Sequence, residues 1–233
     1  MLKFRTFFCK NFFAKHFTFF TLCGILILPQ KSYAILIFVR PLLSPTRVGV
    51  NSTEGISSAL DGDLVHIMER IVINGGAKLY GDVYMLLSIF EETGGGGVVP
   101  AAFGIEPDYA MVIDVDLAAV PDAKTPTSIE MSKGPSITYT TATDRNLTKM
   151  LHNAAKEAEI PTQKFVSAAS TGTNSVRLHL TGNGVPVVDV GLPLAFMHSA
   201  TEIIDIVDCE SLTSLVKLFV TNESIGKEYT DNE

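Results

Sequence analysis

The chain has 233 residues, of which 46% are hydrophobic and 18% are charged, and its net charge is −7. This length allows one sizeable core, and three scattered cysteines (Cys9, Cys23 and Cys209) exclude a disulfide scaffold and a zinc ribbon. An acidic chain also lacks the basic face that nucleic-acid binding requires, so we expect no nucleic-acid partner.

Charge divides the chain near residue 50. The first 50 residues hold seven Lys and Arg, no Asp or Glu, and nine of the 14 Phe, whereas the remainder carries a net charge of −14. We therefore predict two unlike parts: residues 1–50, a basic and apolar extension, and residues 51–233, one acidic globular part.

The extension has three interpretations. Basic residues precede an apolar run over 17–28, and Ser32-Tyr33-Ala34 follows it, which is the order of a secretory signal. If the apolar residues up to 39 are included, residues 17–39 become long enough to contact or anchor in a membrane. The third interpretation is a gene artefact that joins unrelated sequence to part of a domain.

Apolar periodicity after residue 57 alternates between helix and strand. We predict a helix over 60–71, and it is followed by strands over 83–90 and 109–115. An amphipathic helix over 144–158 begins at the capping residue Asp144.

Two more elements complete the acidic part. A buried strand is predicted over 185–190 and a closing helix over 202–220, with Asp205 and Asp208 as acids that cap or solvate it. The alternation of elements predicts an α/β layer architecture.

Polar residues fall at the ends of these predicted strands. Glu91 and Glu92 follow the first strand, Asp114 ends the second, and His198 lies beyond the third. A fourth candidate, Asp61, lies at the start of the first helix. Such strand ends line the crevice of α/β enzymes, and acids there are costly unless they bind something.

Two explanations of the glutamate pair are open. Adjacent carboxylates can divide their roles, one ligating a metal and the other acting as general base, and carboxylates with a histidine suit zinc, cobalt or manganese. Alternatively, Glu91 and Glu92 only cap the next helix. We expect Asp116 to be a solvated turn acid, with a spare ligand as the alternative.

Eight short motifs occur in an order that resembles the catalytic domain of the glutamyl and deblocking aminopeptidases, a family of dinuclear metallopeptidases. They are Ala59-Leu60-Asp61, Glu91-Glu92, Pro107-Asp108-Tyr109-Ala110 before Val112-Ile113-Asp114-Val115, Lys133-Gly134-Pro135, Ile160-Pro161-Thr162-Gln163, Thr171-Gly172-Thr173-Asn174, Gly184-Val185-Pro186 and His198-Ser199.

The resemblance implies a zinc-aminopeptidase-like fold: a mixed, mostly parallel sheet sandwiched by helices, here with the apolar N-terminal extension. It also implies a role for each candidate. Asp61 would bridge two ions, Glu92 and His198 would complete one ion's ligands, and Asp114 would serve the other. Glu91 would be the general base that deprotonates the attacking water, and the substrate would be a peptide with a free amino terminus.

Departures from the family pattern change what is expected of this chain. The family's upstream His-x-Asp motif and its inserted dimerisation domain are not found, and Asn174 stands where the family has Asp. The resemblance therefore implies an N-terminally truncated catalytic domain that holds one or two zinc or cobalt ions, the Glu92 side more tightly. Oligomerisation is doubtful without the dimerisation domain, and the location implied is cytoplasmic, with secretion or anchoring as alternatives.

The sequence thus predicts a metal-dependent aminopeptidase that removes N-terminal residues from peptides, with activity in doubt because of the missing ligand. The alternative is a non-catalytic remnant or interaction module that keeps the fold. Glycoside hydrolysis is a weaker third hypothesis, because adjacent glutamates do not flank a sugar bond at the required separation.

Overall fold

The computed structural model describes residues 78–88, 91, 94, 96–121, 127–168, 170–198 and 202–230, and the backbone of four strands within the first 52 residues. The described strands are β1 (Arg5–Thr6), β2 (Ile25–Leu28), β3 (Ile35–Arg40), β4 (Val48–Ser52), β5 (Asp82–Leu87), β6 (Tyr109–Leu117), β7 (Ser136–Tyr139), β8 (Gln163–Val166), β9 (Val187–Leu194) and β10 (Glu202–Asp205). The described helices are α1 (Val98–Ile105), α2 (Arg145–Glu157), α3 (Ser175–Leu178), α4 (Ile206–Thr221) and α5 (Glu223–Thr230).

Eight of these strands form one sheet in the order β1-β4-β5-β3-β6-β9-β7-β8. Strands β1, β4, β5, β6 and β9 run in one direction, and β3, β7 and β8 run in the other. Four of the seven strand pairs in this described sheet are parallel, which confirms the mixed, mostly parallel sheet expected from the sequence.

Strands from the first 52 residues belong to this arrangement. Strand β3 lies between β5 and β6, with Ile37 paired to both Met85 and Met111, and β2 pairs with β10 in a separate two-stranded ribbon. The predicted boundary between two parts of the chain at residue 50 stays a prediction.

Among the described helices, none is long and apolar enough to cross a membrane. Most of residues 17–39, the segment for which membrane contact was predicted, lies outside the described residues.

Alternate side chains of the central strands pack on opposite faces of the sheet. On one face, Met111 and Ile113 of β6 and Val188 of β9 pack against apolar residues of α2, α4 and α5. On the other face, Val112 and Val187 pack against α1 and α3. Strand β9 is buried along its whole length because helices cover both faces, as the α/β prediction requires.

The two ends of helix α2 follow from local chemistry. Its cap is Asp144, whose carboxylate accepts the N–H of Leu147 at 2.7 Å, as expected from the sequence. At the other end Glu159 takes a left-handed conformation with φ of 54°, and Ile160 N–H donates to the carbonyl of Ala155 at 2.9 Å. This closes the helix before Pro161 is reached.

The closing helix begins later than expected. Residues 202–205 are strand β10, and α4 starts at Ile206 with Asp205 as its cap, accepting Val207 N–H at 3.0 Å. The prediction of a helix from residue 202 was therefore wrong, because Glu202–Asp205 pairs with β2 far away in the chain. The helix predicted over 60–71 lies outside the described residues.

Candidate active site

The carboxyl ends of β5, β6 and β9 lie at the same edge of the sheet because the three strands run in the same direction. Glu91 follows β5 in a turn, Asp114 lies in the last part of β6, and His198 lies in a turn after β9. Three of the five candidate residues from the sequence therefore come from one edge. Asp61 and Glu92 lie outside the described residues.

Asp114 is half-buried and surrounded by negative charge. Its Oδ1 accepts the N–H of Val115 at 2.8 Å, which favours the ionised form. Burial nevertheless raises the pKa of Asp114 well above its usual range, and the charge of Glu91 raises it further, with smaller effects from Asp189 and Asp116. Glu91 thus lies close enough to Asp114 for their charges to repel.

Asp116 is not the solvated turn acid expected from the sequence. It is half-buried within β6, where its carboxylate accepts a hydrogen bond from the hydroxyl of Ser136 on β7. The carboxylate lies over Gly191 of β9, because a Cβ at that glycine would overlap the Asp116 side chain. Burial raises the pKa of Asp116 to about 6, although the Ser136 hydrogen bond lowers it, and Asp189 adds repulsion.

Asp189 is an acid that the sequence analysis missed. It is the third residue of β9 and is 2% exposed. Its Oδ2 accepts hydrogen bonds from the hydroxyls of Thr171, Thr173 and Ser175 at 3.1, 2.6 and 2.7 Å. Burial raises its pKa, and these three hydrogen bonds act in the opposite direction. The acid thereby anchors the turn that leads into α3.

His198 is exposed at the carboxyl edge, on a backbone with two unusual residues. Phe196 and His198 have φ angles of 62° and 60°, in the left-handed region that non-glycine residues seldom adopt. The N–H of His198 donates to Oε1 of Glu202 at 2.7 Å, and Glu202 is a further acid that sequence reasoning did not single out. The one feature of the sequence that could have pointed to Glu202 is its position four residues after His198.

Carboxylate oxygens and an imidazole nitrogen are donors that suit zinc or cobalt, and the repulsion between Glu91 and Asp114 is what a nearby cation would relieve. By donor type and charge, the described candidates fit a divalent ion. Within the part of the chain that the structure describes, no three His, Cys, Asp or Glu side chains converge to hold one. Two of the expected ligands lie outside that part.

Known proteins resemble the chain that forms this α/β sheet, with acids and a histidine at its carboxyl edge. The sequence profile of the M42 glutamyl aminopeptidases matches residues 53–215, which is more than half of the chain. The chain belongs to the M42 glutamyl aminopeptidase family, and the resemblance seen in its motifs is confirmed.

Individual relatives agree with this membership. A lysyl aminopeptidase of Pyrococcus furiosus is 31% identical over 136 residues, which cover 58% of this chain and 39% of the relative. The TET aminopeptidase structure from the marine sediment archaeon Thaumarchaeota archaeon SCGC AB-539-E09 is 26% identical, with a TM-score of 0.64, and the match covers 72% of this chain and 48% of that one.

A third structure shows the fold alone. Aminopeptidase APDkam598 from Desulfurococcus kamchatkensis is 20% identical, with a TM-score of 0.61 over 83% of this chain and 71% of that one. This chain spans less than half the length of the lysyl aminopeptidase and of the TET aminopeptidase.

Proposed function

We propose that the chain is a metal-dependent aminopeptidase that removes N-terminal residues from peptides. The observation that carries the proposal is the common edge of β5, β6 and β9, from which Glu91, Asp114 and His198 come. Membership of the M42 family supports the same activity.

One or two zinc or cobalt ions, held by Asp61, Glu92, Asp114 and His198, would polarise the scissile carbonyl and ease the ionisation of water. Glu91 is the general base: its carboxylate takes a proton from the attacking water and passes it to the leaving amine. The concentration of acids at this edge also attracts the positively charged amino terminus of a peptide.

The proposal is tested by Glu91→Gln in the full chain supplied with Co²⁺ or Zn²⁺. We expect kcat for aminoacyl-anilide hydrolysis to fall by about 10²–10⁴-fold, the usual contribution of a general base, while bound metal is unchanged. Hydrolysis is followed by release of the aniline, and metal content by elemental analysis after desalting.

The matched control is Glu157→Gln, because Glu157 is an exposed glutamate on α2. This variant should hydrolyse the anilides at the wild-type rate. Wild-type turnover in Glu91→Gln would contradict the role of Glu91. A wild-type chain that binds metal without any turnover would instead support the non-catalytic alternative.

A further inference from the structure

Glu202 is a buried carboxylate beside the turn that carries His198. It is the first residue of β10 and is 4% exposed. A buried charge is retained only where partners compensate for its lost hydration, and here the backbone N–H of His198 donates to Oε1 at 2.7 Å. A hydrogen bond to an ionised acceptor is about twice as strong as a neutral one.

The turn that this carboxylate contacts is held from its other side as well. Ala195 and Ile203 exchange backbone hydrogen bonds of 2.9 and 3.1 Å, which fix the residue just before the turn. Between this bridge and the carboxylate lie Phe196 and His198, both at positive φ. A non-glycine residue keeps that conformation only where the surrounding structure enforces it.

We propose that Glu202 is a positioning residue: its carboxylate holds the His198 turn in the left-handed conformation that directs the imidazole to the carboxyl edge of the sheet. The link to metal binding rests on the proposed function. The effect on the turn itself does not, because it is a property of the chain without any ion.

Two variants of the full chain test this role. Glu202→Leu keeps a similar volume without an acceptor, and Glu202→Gln keeps a neutral acceptor of the same shape. The control is Asp144→Ala, which removes another carboxylate that accepts a backbone N–H at 2.7 Å. Asp144 lies near the amino end of β9, where its own N–H donates to the carbonyl of Val187.

The first measurement needs no metal. In amide NMR spectra, we expect the His198 N–H to be shifted downfield and protected from hydrogen exchange in the wild type, shifted upfield in Glu202→Gln, and unprotected in Glu202→Leu. The second measurement is Co²⁺ affinity with the visible spectrum of the bound ion. We expect Glu202→Leu to bind Co²⁺ about 10–100-fold more weakly, as for other partners that orient metal ligands, and Glu202→Gln to stay within about threefold.

Asp144→Ala should change neither the His198 amide nor the Co²⁺ affinity. The proposal is overturned by an unchanged His198 amide in both Glu202 variants, by wild-type Co²⁺ affinity in Glu202→Leu, or by an equal loss in Asp144→Ala. If the wild type binds no Co²⁺, the proposed function fails, and the His198 amide alone then decides whether Glu202 holds the turn.

Discussion

At Gly191 the main chain of β9 passes directly under the Asp116 carboxylate, and the absence of a side chain is what makes room for it. Ser136 completes this contact from β7 by donating to the same carboxylate. One glycine therefore allows three neighbouring strands to carry a half-buried acid two residues from Asp114.

We predict that Gly191→Ala lowers the free energy of unfolding by about 1–3 kcal/mol, because an added methyl group must displace the Asp116 side chain. Urea unfolding measures the change. The control is Gly104→Ala in α1, where a Cβ meets open space and should stabilise the helix by up to about 1 kcal/mol. Adding Asp116→Ala to Gly191→Ala should recover part of the loss, and a Gly191→Ala protein as stable as the wild type would show that the overlap is absent.

A second prediction concerns the pH dependence of stability. Because burial raises the pKa of Asp116 from 3.8 to about 6 in the folded protein, folding favours its protonated form. The stability that this gives is fully present below pH 3.8 and is lost as the pH rises through about 6. Asp116→Asn lacks this titrating carboxyl group. In EDTA, the unfolding free energy of the variant minus that of the wild type should therefore increase between about pH 4 and 7. A difference that stays constant with pH would contradict the raised pKa.

At the scale of elements, the predictable parts were those with strong local signals. Helix α2 has a capping acid and buried Leu147 and Leu151 at helical spacing, and β6 is an unbroken apolar run until Asp114. The bounds of helix α1 were not predicted, because Pro100 and Gly104 disfavour a helix, but a proline in the first turn loses no hydrogen bond.

The candidate site was predictable to a smaller extent. Glu91, Asp114 and His198 stand at the ends of apolar runs, so their common edge followed from strand direction alone. Asp189 could not be found in that way, because the hydroxyls of Thr171, Thr173 and Ser175 that make its burial tolerable lie more than a dozen residues earlier. Such compensation is visible only once the strands and turns are packed together.

The end of α2 gives a third prediction. Glu159 is left-handed, a conformation that costs an L-residue about 1–2 kcal/mol, part of which a glycine recovers. We expect Glu159→Gly to raise the unfolding free energy by about 0.5–1 kcal/mol, measured in urea. Glu157→Gly, inside the same helix, should lower it by about 1 kcal/mol. Equal signs for the two variants would contradict the assigned helix end.

At the scale of the whole molecule, metal binding should stabilise the fold. An ion that binds only the folded chain adds about 2.7 kcal/mol when its concentration is 100 times its dissociation constant. We predict that Co²⁺ or Zn²⁺ raises the thermal unfolding midpoint, that EDTA reverses this, and that His198→Ala removes most of the increase. His152→Ala, on α2, should keep the full increase. An equal increase in both variants would separate metal binding from the proposed site.

The pairing of β6 with β9 also determines when the sheet can be completed. Val112 of β6 lies opposite Asp189 of β9, so β6 cannot complete its pairing until a strand more than 70 residues later has been synthesised. Closing so long a loop is slow, and until it closes one side of β6 exposes unpaired backbone groups that a neighbouring nascent chain can bind. We therefore expect the β6–β9 contact, which brings Asp114 and His198 to one edge of the sheet, to form late in folding, and the protein to be open to misassembly before it forms.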